Sequence, residues 1–555
     1  MGIPEEWIAP PDGRRRLREV ASGEEPPDLV VSGGRVLNVF SGRLERRDIG
    51  IAEGRIAWLV DGSPDDAPRI DVSDRIVVPG LIEPHAHPEV LYGPLALADA
   101  AARHGTTMLC ADLLTMVVML DDDALGSLLD VCREAPARVL WALRPCVEGG
   151  GPVEDRLTAT RMIGLMDRFS SIVAVGEMTA WRSLVDGDSR LETVVAEASR
   201  RNLRVNGHLP GASVRSLERA FVAGITDDHE CTTADEAVAR LDLGFWTMVR
   251  HSSLRPDAAR IAAGLLGHPS LHRAMLTTDG PVAADLVRGH LDTVVREVIG
   301  AGLDPVDAIR MASLNPATYY GIDRHVGAVA PGRFADLVVV DDLQEFRPQV
   351  VLRGGEPVRS VAQPSYPVTS RGAPIVRAEL SAADLVAATS GAPTVRLDGI
   401  ITRRLPDDPP AGSRAVLLAR DGSWRVGMNV ANVEVRALAS SFTGTGDVLL
   451  LGSDVDLLIA AYHRLVDLQG GIVTPTRTVP LPLFGVLSDL PVDELADVVA
   501  GLSSEVQVAG ADVPLEFLLL FLTLGVLPEV RLTPGGVLEV KTGHILAEPT
   551  GLGRR

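Results

Sequence analysis

Ile76-Val77-Val78-Pro79-Gly80-Leu81-Ile82-Glu83-Pro84-His85-Ala86-His87 is the stretch on which the reading of this chain turns. An apolar run breaks at Pro-Gly, and a second short apolar run ends in His-x-His. Residues i and i+2 of a strand point to one side. His85 and His87 can therefore present two imidazoles to one point, as a divalent metal needs. Short motifs also match by accident, and the ordinary alternative is two unrelated polar residues at a strand end. The neighbouring sequence decides between them.

From Leu81 onward, buried-strand runs alternate with helical patterns. The first strand ends near His87. Further strands are expected at Thr107–Asp112, Arg138–Leu143, Ile172–Glu177, Arg204–His208, Ile225–His229, Phe245–Arg250 and Ala274–Asp279. Helices are expected at Leu95–His104, Asp122–Glu134, Leu191–Arg201, Ala234–Leu241, Pro256–Leu266 and Ala283–Ala301. Eight strands with intervening helices is the count of a (β/α)8 TIM-like barrel, an α/β fold, with a doubly wound sheet as the alternative. Before the barrel lie short β-rich segments with turns between them. After a helix expected over Asp304–Asn315, the β pattern returns at 327–355. The expected organisation is an N-terminal polar arm (1–26), a small β-sandwich domain (27–80 plus 318–360), a metal-dependent hydrolase barrel (81–317), a linker (360–374) and an α+β C-terminal domain (375–548).

The chain has 555 residues and a net charge of −21. That charge argues against nucleic acid as a partner and for a soluble protein acting on a small-molecule substrate. No apolar run is long enough to span a bilayer, no signal peptide is expected, and the four scattered cysteines read as reduced thiols, so a cytoplasmic location without membrane attachment is expected. Lys541 is the only lysine. A Schiff base, a P-loop lysine and a carboxylated lysine bridging two metals are all excluded from the first 540 residues.

The C-terminal strand ends of such a barrel form the active site. Those ends carry His85 and His87 (first strand), Glu177 (fourth), His208 (fifth), His229 and Glu230 (sixth) and Asp279 (eighth). So many histidines and carboxylates at one mouth point to metal. Two divalent cations about 3.5–4 Å apart need an anion between them. With lysine absent, Glu177 is the available bridge, one oxygen to each ion. A water between the ions would lose a proton near neutral pH, and Asp279 could accept it and pass it to a leaving nitrogen. Nitrogen and oxygen donors without thiolates suit two ions of Zn, Mn or Fe(II). Glu230 is expected either to bind substrate or support His229, or else to form a structural salt bridge. Asp112 and Thr115 in the loop after the second strand, Trp181 and Arg250 are expected as further pocket residues.

The chain resembles the adenine deaminases of the amidohydrolase superfamily. The resemblance rests on PGLIEPHAH (79–87), AARHGTT (101–107), GEM (176–178), NGHLPG (206–211), AGITDDHECTTADEA (223–237), TTDG (277–280), GHLDTVVREVIGAGLDPVDAIRMASLNPATYYGI (289–322) and GAVAPGRFADLVVVDDL (327–343). In the C-terminal part it continues in LPLFGVLSDLP (481–491) and FLTLGVLPEVRLTPGG (521–536). It implies a distorted TIM barrel with a binuclear metal centre, hydrolysis of adenine to hypoxanthine and ammonia by a metal-activated hydroxide in purine metabolism, and a homodimer. Carried over residue by residue, it implies His85, His87, Glu177, His208, His229 and Asp279 as metal ligands.

Two segments depart from the family. Members usually carry Asp-Pro-His-Glu after the second strand, where this chain has Ala111-Asp112-Leu113-Leu114-Thr115-Met116-Val117. Members also carry His-Asp-Ser-His-Asn in the C-terminal domain, where this chain has Ser440-Ser441-Phe442-Thr443-Gly444-Thr445-Gly446-Asp447. The first motif also continues Pro88-Glu89-Val90, where members usually have a serine-containing stretch. Two alternatives therefore stand beside adenine deamination: hydrolysis of another aminopurine, a cyclic amide or an N-acyl substrate, and nucleobase binding without turnover.

Overall fold

The structure is a computed structural model. It describes residue 4, residues 7–8 and residues 10–552, apart from 63–66, 148–153, 361–363, 369–371, 400, 407–411, 511–512 and 526.

Eight parallel strands form the barrel: β1 (Leu81–Ala86), β2 (Thr106–Asp112), β3 (Arg138–Leu143), β4 (Ile172–Met178), β5 (Arg204–Gly207), β6 (Asp227–Asp228), β7 (Trp246–Arg250) and β8 (Ala274–Thr277). Every residue of β1, β2, β4 and β8 is buried, which is why they read as unbroken apolar runs rather than alternating ones. A helix follows each strand, at Pro94–Arg103, Asp122–Cys132, Ala159–Arg168, Ser189–Arg200, Val214–Val222, Ala234–Asp242, Ala258–Leu265 and Leu291–Gly300.

The wall consists of two arcs. One is a five-stranded sheet, β5-β4-β3-β2-β1, and the other is a three-stranded sheet, β6-β7-β8. Two narrow seams join them. Between β8 and β1, Ala86 bridges Asp279, the His87 N–H donates to the Asp279 carbonyl at 3.3 Å, and Thr277 Oγ1 lies 2.9 Å from the His85 carbonyl oxygen. Between β5 and β6, the Thr226 N–H donates to the Val205 carbonyl at 2.9 Å. Carboxylates then replace the ladder. Asp227 Oδ1 accepts from the Gly207 N–H at 2.9 Å and Asp228 Oδ1 from the Leu209 N–H at 2.8 Å. The substitution shortens β6 to two residues, so Ile225 and His229 lie outside the strand expected over Ile225–His229.

The helix expected over Ala283–Ala301 is broken into Ala283–Leu286 and Leu291–Gly300. At the break, the Asp292 carboxylate accepts the His290 N–H at 2.7 Å and fixes the entry to the second helix. The helix expected over Asp304–Asn315 likewise divides, into Pro305–Met311 and Leu314–Tyr319. Residues 1–26, read as a polar arm, contain a helix, Pro11–Ser22, which starts on a proline and ends at Gly23 in the left-handed conformation. Its Leu17 and Val20 pack on Ala52, Ala57 and Trp58. The run of arginines masks this short apolar stripe in the sequence.

Strands from both sides of the barrel sequence face each other as two sheets. One has Arg55–Val60, Asp48–Ala52, Leu29–Ser32 and Arg69–Asp71. The other holds Ile76–Pro79 between Leu337–Val340 and Arg35–Asn38. Val31, Ile49, Ile51, Val77, Leu337 and Val339 fill the space between them. Ile76–Pro79 leads directly into β1, so Gly80 is the corner between sandwich and barrel. A Cβ there would lie 2.1 Å from Thr107 Oγ1, so this position needs glycine.

The C-terminal region is built on a sheet that includes Ser413–Leu418, Trp424–Val430 and Val448–Gly452, flanked by helices Val455–Leu468 and Val492–Ser503. Its core is continuous with that of the barrel helices. Part of the linker expected over 360–374 falls outside the described residues.

Candidate metal centre

The six expected ligands come together at the C-terminal strand ends. His85, Glu177 and His229 are buried, and His87, His208 and Asp279 are partly so. His85 Nε2 and His87 Nε2 lie 3.0 Å apart, and Asp279 Oδ1 is 3.5 Å from the first and 3.1 Å from the second. Across the mouth, Glu177 Oε1 is 2.7 Å from His208 Nδ1 and 3.6 Å from His229 Nε2. Its Oε2 faces the other side, 3.9 Å from His87 Nε2. The His85 and His229 rings stack with centroids 4.2 Å apart.

Several trios place their donor atoms within 4.8 Å of one another: His85 with His87 and Asp279; His208 with His229 and Glu230; His85 with Glu177 and His229; and His87 with Asp112 and Glu177. These donors fit a divalent transition ion, being imidazole nitrogens and carboxylate oxygens with no thiolate among them. The buried His229 Nδ1 has no hydrogen-bond partner among the described residues. Such an orphaned polar atom is costly unless something binds it.

Burial and neighbours polarise the cluster. Burial, with His229 and His87 nearby, holds His85 down to about 3. Burial works against charge on His87 too, but Glu89 and Asp279 outweigh it and raise that imidazole to about 10. Burial also lowers His229. For Glu230, burial is overcome by His208, Arg250 and His229, and the carboxyl falls to about 2. Asp279 is held well below the usual carboxylate range because Arg250 and the imidazoles of His85 and His87 outweigh burial.

The remaining expected residues divide. Arg250 lies inside the cluster: its Nη1 donates to Glu230 Oε1 at 2.5 Å and to Asp279 Oδ2 at 2.9 Å, and its Nη2 donates to Glu230 Oε2 at 3.2 Å. Glu230 is thus a salt-bridge partner, 3.6 and 3.5 Å from the histidines His208 and His229. Asp112, at the end of β2, accepts the Leu114 N–H at 2.7 Å where the helix Leu114–Met119 begins, and reaches the cluster. Thr115 lies on that helix. Trp181 packs in the hydrophobic core with the Arg182 guanidinium 4.7 Å from its ring centroid, and none of its described ring contacts is with a site histidine. It opens the short helix Trp181–Val185 and is buried there.

Three residues escaped the sequence reading. Arg144 follows β3. Its Nε donates to Asp112 Oδ2 at 2.9 Å, and its Nη2 touches Glu177 Oε2. Glu89 accepts from His87 Nδ1 at 3.0 Å, the carboxylate–histidine arrangement that orients a metal-binding ring. Glu83 lies fully buried beneath the site. It accepts from the Thr277 and Thr278 hydroxyls at 2.6 and 2.7 Å and from the Thr278 and His85 N–H groups at 2.8 and 3.1 Å. Burial raises its carboxyl to about 7 in spite of these bonds. Thr277 Oγ1 in turn accepts the Asp279 N–H at 3.0 Å. This bond helps hold Asp279 at a φ of 61°, a left-handed conformation that is costly outside glycine and accumulates at functional sites. A charged residue directly after a barrel strand was the available signal for Arg144, and the unusual Pro88-Glu89-Val90 was the signal for Glu89.

A model of the amidohydrolase family matches residues 76–362, just over half of the chain. The chain belongs to the amidohydrolase family. It is a hydrolase acting on C–N bonds, and a second model, the adenine deaminase C-terminal domain, matches residues 418–544 of this amidohydrolase. Among curated relatives, the adenine deaminase of Nitratidesulfovibrio vulgaris is 31% identical over 568 residues, covering 95% of this chain and 97% of the relative. The adenine deaminase of Methanothrix thermoacetophila is 29% identical, covering 95% and 98%, and that of Kosmotoga olearia is 28% identical, covering 95% and 97%. Among the described residues of this amidohydrolase, no helix is long and apolar enough to cross a membrane.

The two segments that depart from the adenine deaminase pattern are neighbours in space. A Cβ on Gly446, in the altered C-terminal segment, would lie 3.2 Å from the sulfur of Met119. Met119 ends the helix that replaces the expected polar segment after β2.

Proposed function

We propose that this amidohydrolase deaminates adenine hydrolytically, giving hypoxanthine and ammonia, with two divalent transition ions at the barrel mouth. The observation that carries the reading is the convergence of all six expected ligands into overlapping trios of donors around Glu177. The near full-length likeness to proteins named adenine deaminase supports the choice of substrate.

In this reading His85, His87 and Asp279 would hold one ion and His208 and His229 the other, with Glu177 available to both. The ions would supply Lewis acidity that makes a water nucleophilic at neutral pH. Asp279 turns Oδ1 toward the histidines and Oδ2 toward Arg250. Asp279 would take the proton of the attacking water and deliver it to the departing amino nitrogen. Arg250 fixes the carboxylates of Asp279 and Glu230 in one orientation, so little reorganisation accompanies the transfer. Glu89 orients the His87 ring and Glu83 holds the turn that carries Asp279.

A second reading rests on the contact between the two altered segments. If Met119 and the Phe442–Gly446 stretch shape the substrate side of the mouth, the leaving nitrogen belongs to another aminopurine, a cyclic amide or an N-acyl group. The deciding experiment mixes metal-loaded protein with adenine and follows ammonia and hypoxanthine. Turnover supports the first reading. Absence of turnover with about two ions bound per chain refutes it and leaves the second, to be pursued with a panel of those substrate classes.

A further inference from the structure

Arg144 occupies a position that the proposed chemistry does not use. Its side chain is 12% exposed, and its partners Asp112 and Glu177 are 1% and 7% exposed. Asp112 and Glu177 are also two members of a three-donor group completed by His87. The guanidinium therefore rests on a pair of carboxylates that could otherwise help hold a cation.

The two oxygens of Glu177 are not equivalent. Oε1 faces His208 and His229, at 2.7 and 3.6 Å. Oε2 is the oxygen on the His87 side, at 3.9 Å, and it is the one that Arg144 contacts. A carboxylate that gives one oxygen to each of two ions needs both oxygens free to bind. An arginine is always charged, and like charges in contact repel most strongly where water is excluded. An ion on Oε2 and the Arg144 guanidinium must therefore compete. Asp112 offers the guanidinium a place to retreat, because the 2.9 Å bond from Nε to Oδ2 does not involve Glu177.

We propose that Arg144 is a positioning residue that competes with metal for Glu177 Oε2. It makes the site load unequally. The ion at His208, His229 and Oε1 binds first, and the ion at His85, His87 and Asp279 binds at least ten-fold more weakly, because full loading requires the guanidinium to withdraw onto Asp112. This rests on the metal reading of the same site but not on the identity of the substrate.

The test uses the full chain stripped with chelator and titrated with Mn2+ by calorimetry, with bound metal counted by elemental analysis after dialysis. Wild type is expected to take up two ions in steps at least ten-fold apart. In Arg144→Met the weaker step should tighten by ten-fold or more, whereas Arg144→Lys, which keeps a cation, should leave the steps apart. Equal affinities in wild type, or a folded Arg144→Met with an unchanged isotherm, would overturn the proposal while leaving the metal reading intact. Failure of wild type to bind Mn2+ would overturn both. If Arg144→Met does not fold, the spacing of the two wild-type steps decides the question alone.

Discussion

Replacing Arg250 by methionine isolates the charge balance of the site. The Arg250 side chain is 4% exposed and serves two carboxylates, Glu230 at 7% and Asp279 at 17% exposure, through bonds of 2.5, 2.9 and 3.2 Å. Removing one partner from a buried ion pair costs about 3–5 kcal/mol, because the charge left behind keeps its desolvation penalty. Arg250→Met should therefore destabilise the metal-free protein by about that amount. Bound ions would change the result, since Asp279 would then have a second cation against it. If the ions recover about 2 kcal/mol of the loss, linkage requires the variant to bind metal about 30-fold more tightly than wild type. The assay is urea unfolding followed by tryptophan fluorescence, for both proteins, in chelator and in saturating Mn2+. The predicted pattern is a large shift in midpoint without metal and a clearly smaller one with it. An identical shift under both conditions would refute the reasoning, because it would mean that the carboxylates tied to Arg250 do not face the ions.

Glu177→Gln should lower metal content and turnover together; full occupancy measured by elemental analysis would exclude this side chain as the bridge. Glu516, 3% exposed on the helix Leu515–Phe521, has its carboxyl pushed up to about 7 by burial, against an unfolded value of 4.5. The folded state then binds the extra proton between those values, so stability falls as pH rises from about 4.5 to 7 and stays reduced above it. Glu516→Gln should consequently stabilise the protein at pH 8 by up to about 3 kcal/mol and have little effect at pH 4, which melting curves at the two pH values would measure. Gly80→Ala should cost about 1–3 kcal/mol through overpacking against Thr107 and reduce metal content by displacing β1, and a Gly80→Ala, Thr107→Gly double variant should recover both, as read by unfolding midpoints and elemental analysis.

The barrel was legible where burial leaves a plain trace. β3 runs over Arg138–Leu143, as the apolar run indicates, and β1, β2 and β4 lie within a residue or so of their expected ends. The expected ligand positions fall together because a parallel barrel places its strand ends at one mouth. What was hidden depends on pairing in space. β6 shrinks because Asp227 and Asp228 take over the bonds of a ladder, and nothing in Ile225–His229 signals which carboxylate will reach which N–H. Arg144 and Glu89 acquire meaning only when β3 and the loop after β1 are brought against Asp112, Glu177 and His87.

The two seams of the barrel wall bear on more than geometry. His85 and His87 stand on one side of the β8–β1 seam and Asp279 on the other. His208 and His229 face each other in the same way across the β5–β6 seam. Ions held by these groups would act as rivets, one across each joint of a ring whose two arcs are otherwise joined by few backbone bonds. Stripping the metal would then loosen the wall at two opposite joints rather than soften the whole barrel. Amide hydrogens beside the joints, those of His87 and Thr226 among them, would exchange with solvent well ahead of those within the five-stranded arc.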